Sequence, residues 1–210
     1  MKAFAAVLGT ALLTGCSVVG VRAATEQPKY SVLDRINDDI EIRRYGSRTV
    51  AEVEIEARDG REGRSRAFRI LAGYIFGTNR SKSKIAMTAP VETQRSGEKI
   101  EMTAPVETRR NAGKLRMAFF LPAKYSAETA PIPVDPRVKI RTVPGEIIAA
   151  LRFSGTPDQA DLKARREALM TALSTSMWRA VGEPVSYFYD PPWTPSMMRR
   201  NEVAVRVKAR

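Results

Sequence analysis

The chain repeats itself. Displacing it by 98 positions sets Ile40 on Val138, Ile42 on Ile140 and Arg43 on Arg141, then Val50 on Ile148, Ala51 on Ala149, Val53 on Leu151 and Ile55 on Phe153. Apolar residues meet apolar residues without a gap across Ile40-Glu-Ile-Arg-Arg-Tyr45, across Thr49 to Ile55, and through the short turn between them. Both stretches alternate apolar and polar, the period of half-buried strands. Each is followed by a helical pattern. The first runs from Asp59 to Phe76, with Ala67, Leu71 and Tyr74 on one stripe, Phe68 and Ile75 beside it, and Gly77 as its stop. The second runs from Asp158 to Trp178, with Thr156 or Asp158 as cap and Leu162, Leu169, Leu173 and Met177 as stripe. The pattern predicts an α+β fold. A pseudo-twofold duplicated β-β-α-β-β unit forms a distorted antiparallel β-barrel or curved sheet with two flanking helices. Chance likeness between two alternating hairpins is the competing explanation, because any two amphipathic strands share a period.

A shorter repeat lies between the halves. Lys84-Ile-Ala-Met-Thr-Ala-Pro-Val-Glu-Thr93 returns as Lys99-Ile-Glu-Met-Thr-Ala-Pro-Val-Glu-Thr108, with the turn signal Ser96-Gly97 between the copies. A hairpin closed there sets Met87 opposite Val106, Ala89 opposite Ala104 and Val91 opposite Met102. That register predicts a core-facing apolar side, with Thr88, Pro90, Thr103 and Pro105 pointing away.

The N-terminus reads as an export signal. Lys2 precedes the apolar stretch Ala3 to Leu13, too short to span a membrane comfortably. It ends in Leu13-Thr-Gly-Cys16, which resembles the bacterial lipobox, so residues 1–15 form a lipoprotein signal and Cys16 is the expected lipidation site. Residues 16–28 then act as a tether and 29–210 as one domain. Cleavage after Val21-Arg-Ala23 and an uncleaved anchor remain open alternatives. Ser17 after the cysteine resembles sorting to the periplasmic face of an outer membrane.

Histidine is absent from all 210 residues, which excludes a Ser-His-Asp triad, a Cys-His dyad, histidine zinc sites and imidazole ligation of haem iron. Cys16 is the sole cysteine, so no internal disulfide forms. The net charge of +12 suits anionic head groups or acidic ligands in an exported chain. Nucleic acid is not the expected partner, because no aromatic ladder accompanies the dispersed basic residues. Glu92, Glu107, Asp190 and Glu202 show no spacing that singles out an acid–base pair, so no catalytic residue is assigned and the chain is not read as an enzyme. No metal site is assigned.

Several motifs occur in an order that resembles the SOUL/haem-binding family. They are the two Met-Thr-Ala-Pro-Val cores, Ala67 to Asn79, Met117-Ala-Phe-Phe-Leu-Pro122, Val134-Asp-Pro-Arg137, Asp190-Pro-Pro-Trp-Thr-Pro195 and Arg199-Arg-Asn-Glu-Val203. The resemblance implies binding of haem or another tetrapyrrole on an apolar surface between the first helix and the loop joining the last two strands. On this chain that surface draws Ile70, Tyr74 and Ile75 from the helix, and Trp193, Met197 and Met198 from the loop as stacking and edge contacts. Arg199 and Arg200 are the candidates for pairing with propionates. Haem would then be a reversible ligand rather than a catalytic cofactor, held without a protein ligand to iron or through Met or Tyr. The alternative is a cell-envelope protein-interaction module with no small-molecule ligand. In either case the membrane is reached through the lipidated Cys16.

Overall fold

The computed structural model describes residues 25–56, 60–82, 84–86, 88–96, 114–191 and 193–210. Among these described residues nine strands form one antiparallel sheet. They are β1 (Tyr30–Asn37), β2 (Ile40–Tyr45), β3 (Arg48–Glu56), β4 (Val91–Ser96), β5 (Lys114–Phe120), β6 (Lys139–Val143), β7 (Glu146–Phe153), β8 (Trp178–Phe188) and β9 (Asn201–Ala209). Helix α1 (Gly60–Ile75) follows β3, and helix α2 (Gln159–Ser174) follows β7. The spatial order is β1-β2-β7-β9-β8-β4-β5-β3-β6. The two ends do not meet, so the sheet is open and the barrel form of the expectation is not adopted.

The doubling is visible in that order. Outside β1, which the sequence pattern did not suggest, the strands mirror each other about the β8–β4 contact: β2 matches β6, β7 matches β3, and β9 matches β5. The register agrees. Ile42 faces Ala149 in the β2–β7 pair, and their images Ile140 and Ala51 face each other in the β6–β3 pair. β2 and β3 are joined by a two-residue link, as are β6 and β7, yet neither pair of consecutive strands is hydrogen-bonded to each other. β2 and β6 each cross to the second strand of the opposite half. Alternation determines which face a side chain takes and leaves the neighbouring strand open. The two links meet at the pseudo-axis, where an added Cβ on Gly145 would lie 3.2 Å from the Tyr45 carbonyl oxygen. Arg48 and Glu146, equivalent positions of the two halves, form an ion pair there.

Both helices cover one face of the sheet. α1 buries Ala67, Leu71, Tyr74 and Ile75 against Ala51, Val53, Met117 and Phe119. α2 buries Leu162, Leu169 and Leu173 against Ala149, Leu151, Val203 and Val205. Asp158 caps α2 in a capping box with Asp161. The expected continuation to Trp178 fails at a run of hydroxyls. Ser174, Thr175 and Ser176 donate to the carbonyls of Thr171, Ala172 and Leu173, taking the acceptors of the last turn. Met177 is therefore 65% exposed rather than part of the stripe, and Trp178 opens β8 with its indole nitrogen donating to Asp34 at 2.8 Å.

The Met-Thr-Ala-Pro-Val register is corrected at its described residues; Met87, Met102, Thr103, Pro105 and Val106 lie outside them. Val91 faces Phe119 of β5 on one side and Phe188 of β8 on the other. Thr88 and Pro90 are buried instead of pointing away, and the Ala89-Pro90 peptide is cis. The Thr88 hydroxyl donates to the Phe120 carbonyl, a bond that strand periodicity does not anticipate. Thr88→Val, nearly isosteric, leaves a buried carbonyl short of its donor. It should lower stability by about 1–3 kcal/mol in a urea titration, whereas a change under about 0.5 kcal/mol would deny the bond any weight.

Candidate functional site

Helix periodicity leaves Arg66, Arg69, Ile70 and Gly73 on the side of α1 away from its deepest packing. The segment after Ala130 lies against that side, tied by the Asn79–Pro133 bridge and by the Arg80 N–H to the Ile132 carbonyl at 2.9 Å. Between them is a cleft of about 330 Å³, lined from the helix by Arg66, Arg69, Ile70, Gly73 and Tyr74 and from across by Thr78, Asp135 and Arg137. Its floor is apolar and its rim cationic. Arg66 donates to the Glu56 carbonyl at 2.6 Å, and Arg137 is clamped by Asp135 at 2.9 and 2.6 Å. The Arg137 hydrogen bond holds the Asp135 carboxyl below the usual carboxylate range. Arg69 has no carboxylate partner among the described residues. The Tyr74 hydroxyl donates to the Pro131 carbonyl at 2.8 Å, and burial, with Tyr125 nearby, pushes its phenol up to about 12.

The loop joining β8 and β9 is held by its own polar groups. Arg200 N–H donates to Asp190 at 2.6 Å, and Arg199 donates to the Thr194 carbonyl at 2.8 Å and the Thr156 hydroxyl at 2.9 Å. The Gly155 N–H donates to the Ser196 carbonyl, and Asn201 donates back to the Gly155 carbonyl. Arg200 also reaches Glu202 at 2.6 Å and stacks over Tyr189 at 4.1 Å. With its polar groups turned inward, the loop presents Trp193 (74% exposed), Met197 (83%) and Met198 (47%) to solvent.

The residues singled out in the sequence thus fall in three places. Ile70 and Tyr74 line the cleft, Tyr74 with only an edge because it is otherwise buried. Ile75 is in the core under α1. Trp193, Met197 and Met198 form the exposed loop patch, while Arg199 and Arg200 brace that loop from inside. The cleft takes no lining residue from the loop. Arg66, Arg69 and Arg137 are not among the site residues expected from the sequence. Their signal was present in the Arg-x-x-Arg spacing on the exposed side of the helix, but the partner segment was invisible to periodicity.

The face of the sheet opposite the helices carries buried charge. Glu202 accepts from Arg43 at 2.8 Å and from the Tyr189 hydroxyl at 2.7 Å, with Arg200 at its other oxygen. Burial by itself would push Glu202 up, but these donors and the two guanidinium charges hold it below the usual carboxylate range. On the other half, Arg116 and Arg141 converge on Glu52 at 3.6 and 2.9 Å, and Arg116 also meets Glu92 at 3.1 Å. There burial prevails over the nearby arginines, and the Glu92 carboxyl titrates above its ordinary range. A second cavity of about 370 Å³ opens beside Glu92, Arg116, Glu146 and Tyr187. Glu92 and Glu202 are therefore committed to ion pairs. Among the described residues no group of acidic or cysteine side chains converges as metal ligands.

Comparison with known proteins bears on this arrangement. The family model described as SOUL heme-binding protein matches residues 25–206. No curated protein matches the sequence. Among solved structures the fold is similar to the EcmrR C-terminal domain, at TM-score 0.61 and 11% identity over 86% of this chain and 99% of that one. It is also similar to an uncharacterised conserved protein from Listeria innocua, at TM-score 0.59 and 14% identity over 81% and 92% of the two chains. A third neighbour, called a hydrolase, also from Listeria innocua, has TM-score 0.54 and 11% identity over 84% and 94%. At these identities the likeness concerns the fold.

Proposed function

Because the chain belongs to the SOUL heme-binding protein family, we propose that it is a binding protein for tetrapyrroles and similar amphipathic anions, with no histidine ligand to iron. The observation that carries this reading is the cleft along α1, where Arg66, Arg69 and Arg137 surround an apolar strip made by Ile70, Gly73 and Tyr74. Guanidinium groups pair with carboxylates in charge-assisted hydrogen bonds, and an apolar strip suits a macrocycle edge. Arg69 is the cation best placed to take a ligand carboxylate, since Arg137 already holds Asp135.

The residues fit the organic part of haem and not its metal. The chain has no histidine. Tyr74, the one phenol on the cleft, keeps its proton at neutral pH and spends its hydroxyl on Pro131. Met197 and Met198 belong to a loop that does not line the cleft. Affinity then rests on burial of apolar surface, about 25 cal/mol per Å², and on the arginine contacts.

Titration of the chain with haemin and with iron-free protoporphyrin tests this. The two should bind with similar affinity, and Arg69→Ala should weaken both, more at low salt than at high. A preference for haemin of tenfold or more, about 1.4 kcal/mol, would reveal an iron ligand and overturn the reading. Absence of saturable binding by either compound would favour an envelope interaction module instead.

A further inference from the structure

Three large apolar side chains exposed within six residues need a reason, because folding gains nothing from them. The loop that carries Trp193, Met197 and Met198 is not loosely placed. Its backbone is tied to Gly155 and Asp190, and Arg199 and Arg200 are drawn inward. Fixed exposure of this kind marks a contact surface rather than an unfilled core.

The start of the described chain points to what covers it. Glu26 accepts the Ala89 N–H at 3.0 Å through its carbonyl and the Ala123 N–H at 2.8 Å through its side chain. Gln27 meets Arg200, the last residue of the loop, at 3.5 Å. The chain therefore leaves the fold at the foot of the Trp193 loop. Strand registers place the start of β4, the end of β5 and the end of β8 at this same end of the sheet, through Val91 opposite Phe119 and Phe188. Only nine residues lie between Glu26 and Cys16 of the lipobox-like Leu13-Thr-Gly-Cys16, and the ten steps reach about 33–36 Å at full extension. An acyl chain on Cys16 would hold this end of the protein near a bilayer. Exposed Lys29 and Lys124 stand by the exit point, two residues after Gln27 and next to Ala123.

We propose that residues 193–198 form a membrane-contact site for a phospholipid surface containing anionic lipid. Trp193 sits at the head-group level, where an indole has both apolar and polar neighbours, with Met197 and Met198 against the acyl boundary. The tether and the loop then make two points of attachment, which orient the domain as well as retain it.

The test uses the full chain and its Trp193→Phe variant on vesicles of phosphatidylcholine and phosphatidylglycerol, with and without brominated acyl chains. The difference between the two proteins isolates Trp193 from buried Trp178. The expected result is a blue shift of the Trp193 emission on binding vesicles and its quenching by the brominated lipid. Emission at its aqueous position and unquenched, in vesicle-bound protein, overturns the proposal. A haemin titration of Trp193→Ser/Met197→Ser separates this site from the tetrapyrrole cleft. Its Kd should stay within about twofold of the parent. A loss of tenfold or more would assign the loop to the ligand instead of the membrane.

Discussion

Replacing Glu202 by alanine should destabilise the protein by about 3–5 kcal/mol, read as a lower urea midpoint and melting temperature, because it leaves buried cationic charge uncompensated. Arg43 is 2% exposed and Glu202 is inaccessible, so water cannot take over the lost partner. The geometry also ranks the variants. Removing Glu202 strands Arg43, Arg200 and the Tyr189 hydroxyl together, although Arg43 keeps Glu41 at 2.8 Å. Removing Arg43 leaves Glu202 still held by Arg200 at 2.6 and 3.0 Å, so Arg43→Ala should cost less. Equal or reversed costs would show that the network is not centred on the carboxylate. The pH dependence has a definite sign. The folded-state value of Glu202 lies below the ordinary carboxylate value of 4.5, so its contribution is present above that range and is lost as pH falls through the folded value. Glu92 acts oppositely, since its raised value means that the native state gains by taking up a proton as pH falls. Acid loss of stability should therefore be shallower in Glu202→Ala and steeper in Glu92→Gln than in the parent.

Phe119→Ala should produce a loss of similar size, about 3–5 kcal/mol, as for other buried aromatic truncations. Phe119 is fully buried between Ala51 and Val91 of the flanking strands and meets Phe68 edge-on at 5.4 Å. The pseudo-symmetry supplies an internal control. Ala149 is the image of Ala51 and faces Val205, so Val205 occupies the position under α2 that Phe119 occupies under α1. Val205→Ala removes far less buried surface and should cost correspondingly less. If the two truncations proved equally costly, the two halves of the core would not be packed as independently as their separate clusters imply.

Much of the fold was legible in the residues. The displacement by 98 pairs Ile42 with Ile140 and Ala51 with Ala149, and the same four residues face one another across the two crossed strand pairs. The α1 stripe was readable because Ala67, Leu71, Tyr74 and Ile75 follow the helix period, and Asp158 with Asp161 announces the start of α2. Less of the candidate site was legible. The Arg-x-x-Arg spacing at Arg66 and Arg69 was on view, but a cleft needs two walls, and the second wall at Asp135 and Arg137 lies about seventy residues away in a segment without periodicity. The motif resemblance draws on both the loop and α1 for one expected site; Ile70 and Tyr74 line the cleft, and the loop's polar contacts run to Gly155, Thr156 and Gln27.

What the sequence determined alone is the local and the repeated: side-chain alternation, helix faces, caps, the duplication and the absence of histidine. These are encoded over a few residues by backbone geometry or by composition, and no distant contact is needed to read them. What only the tertiary structure decided is partnership. Strand period does not specify that β2 pairs with β7 rather than β3, because one half-buried ladder offers the same hydrogen bonds as another. Nor does it reveal that Arg43 and Glu202, 159 residues apart, are buried together. A charged residue at an alternating strand position reads as solvent-facing until the curved sheet takes that face away from water and a distant counter-charge makes its burial tolerable.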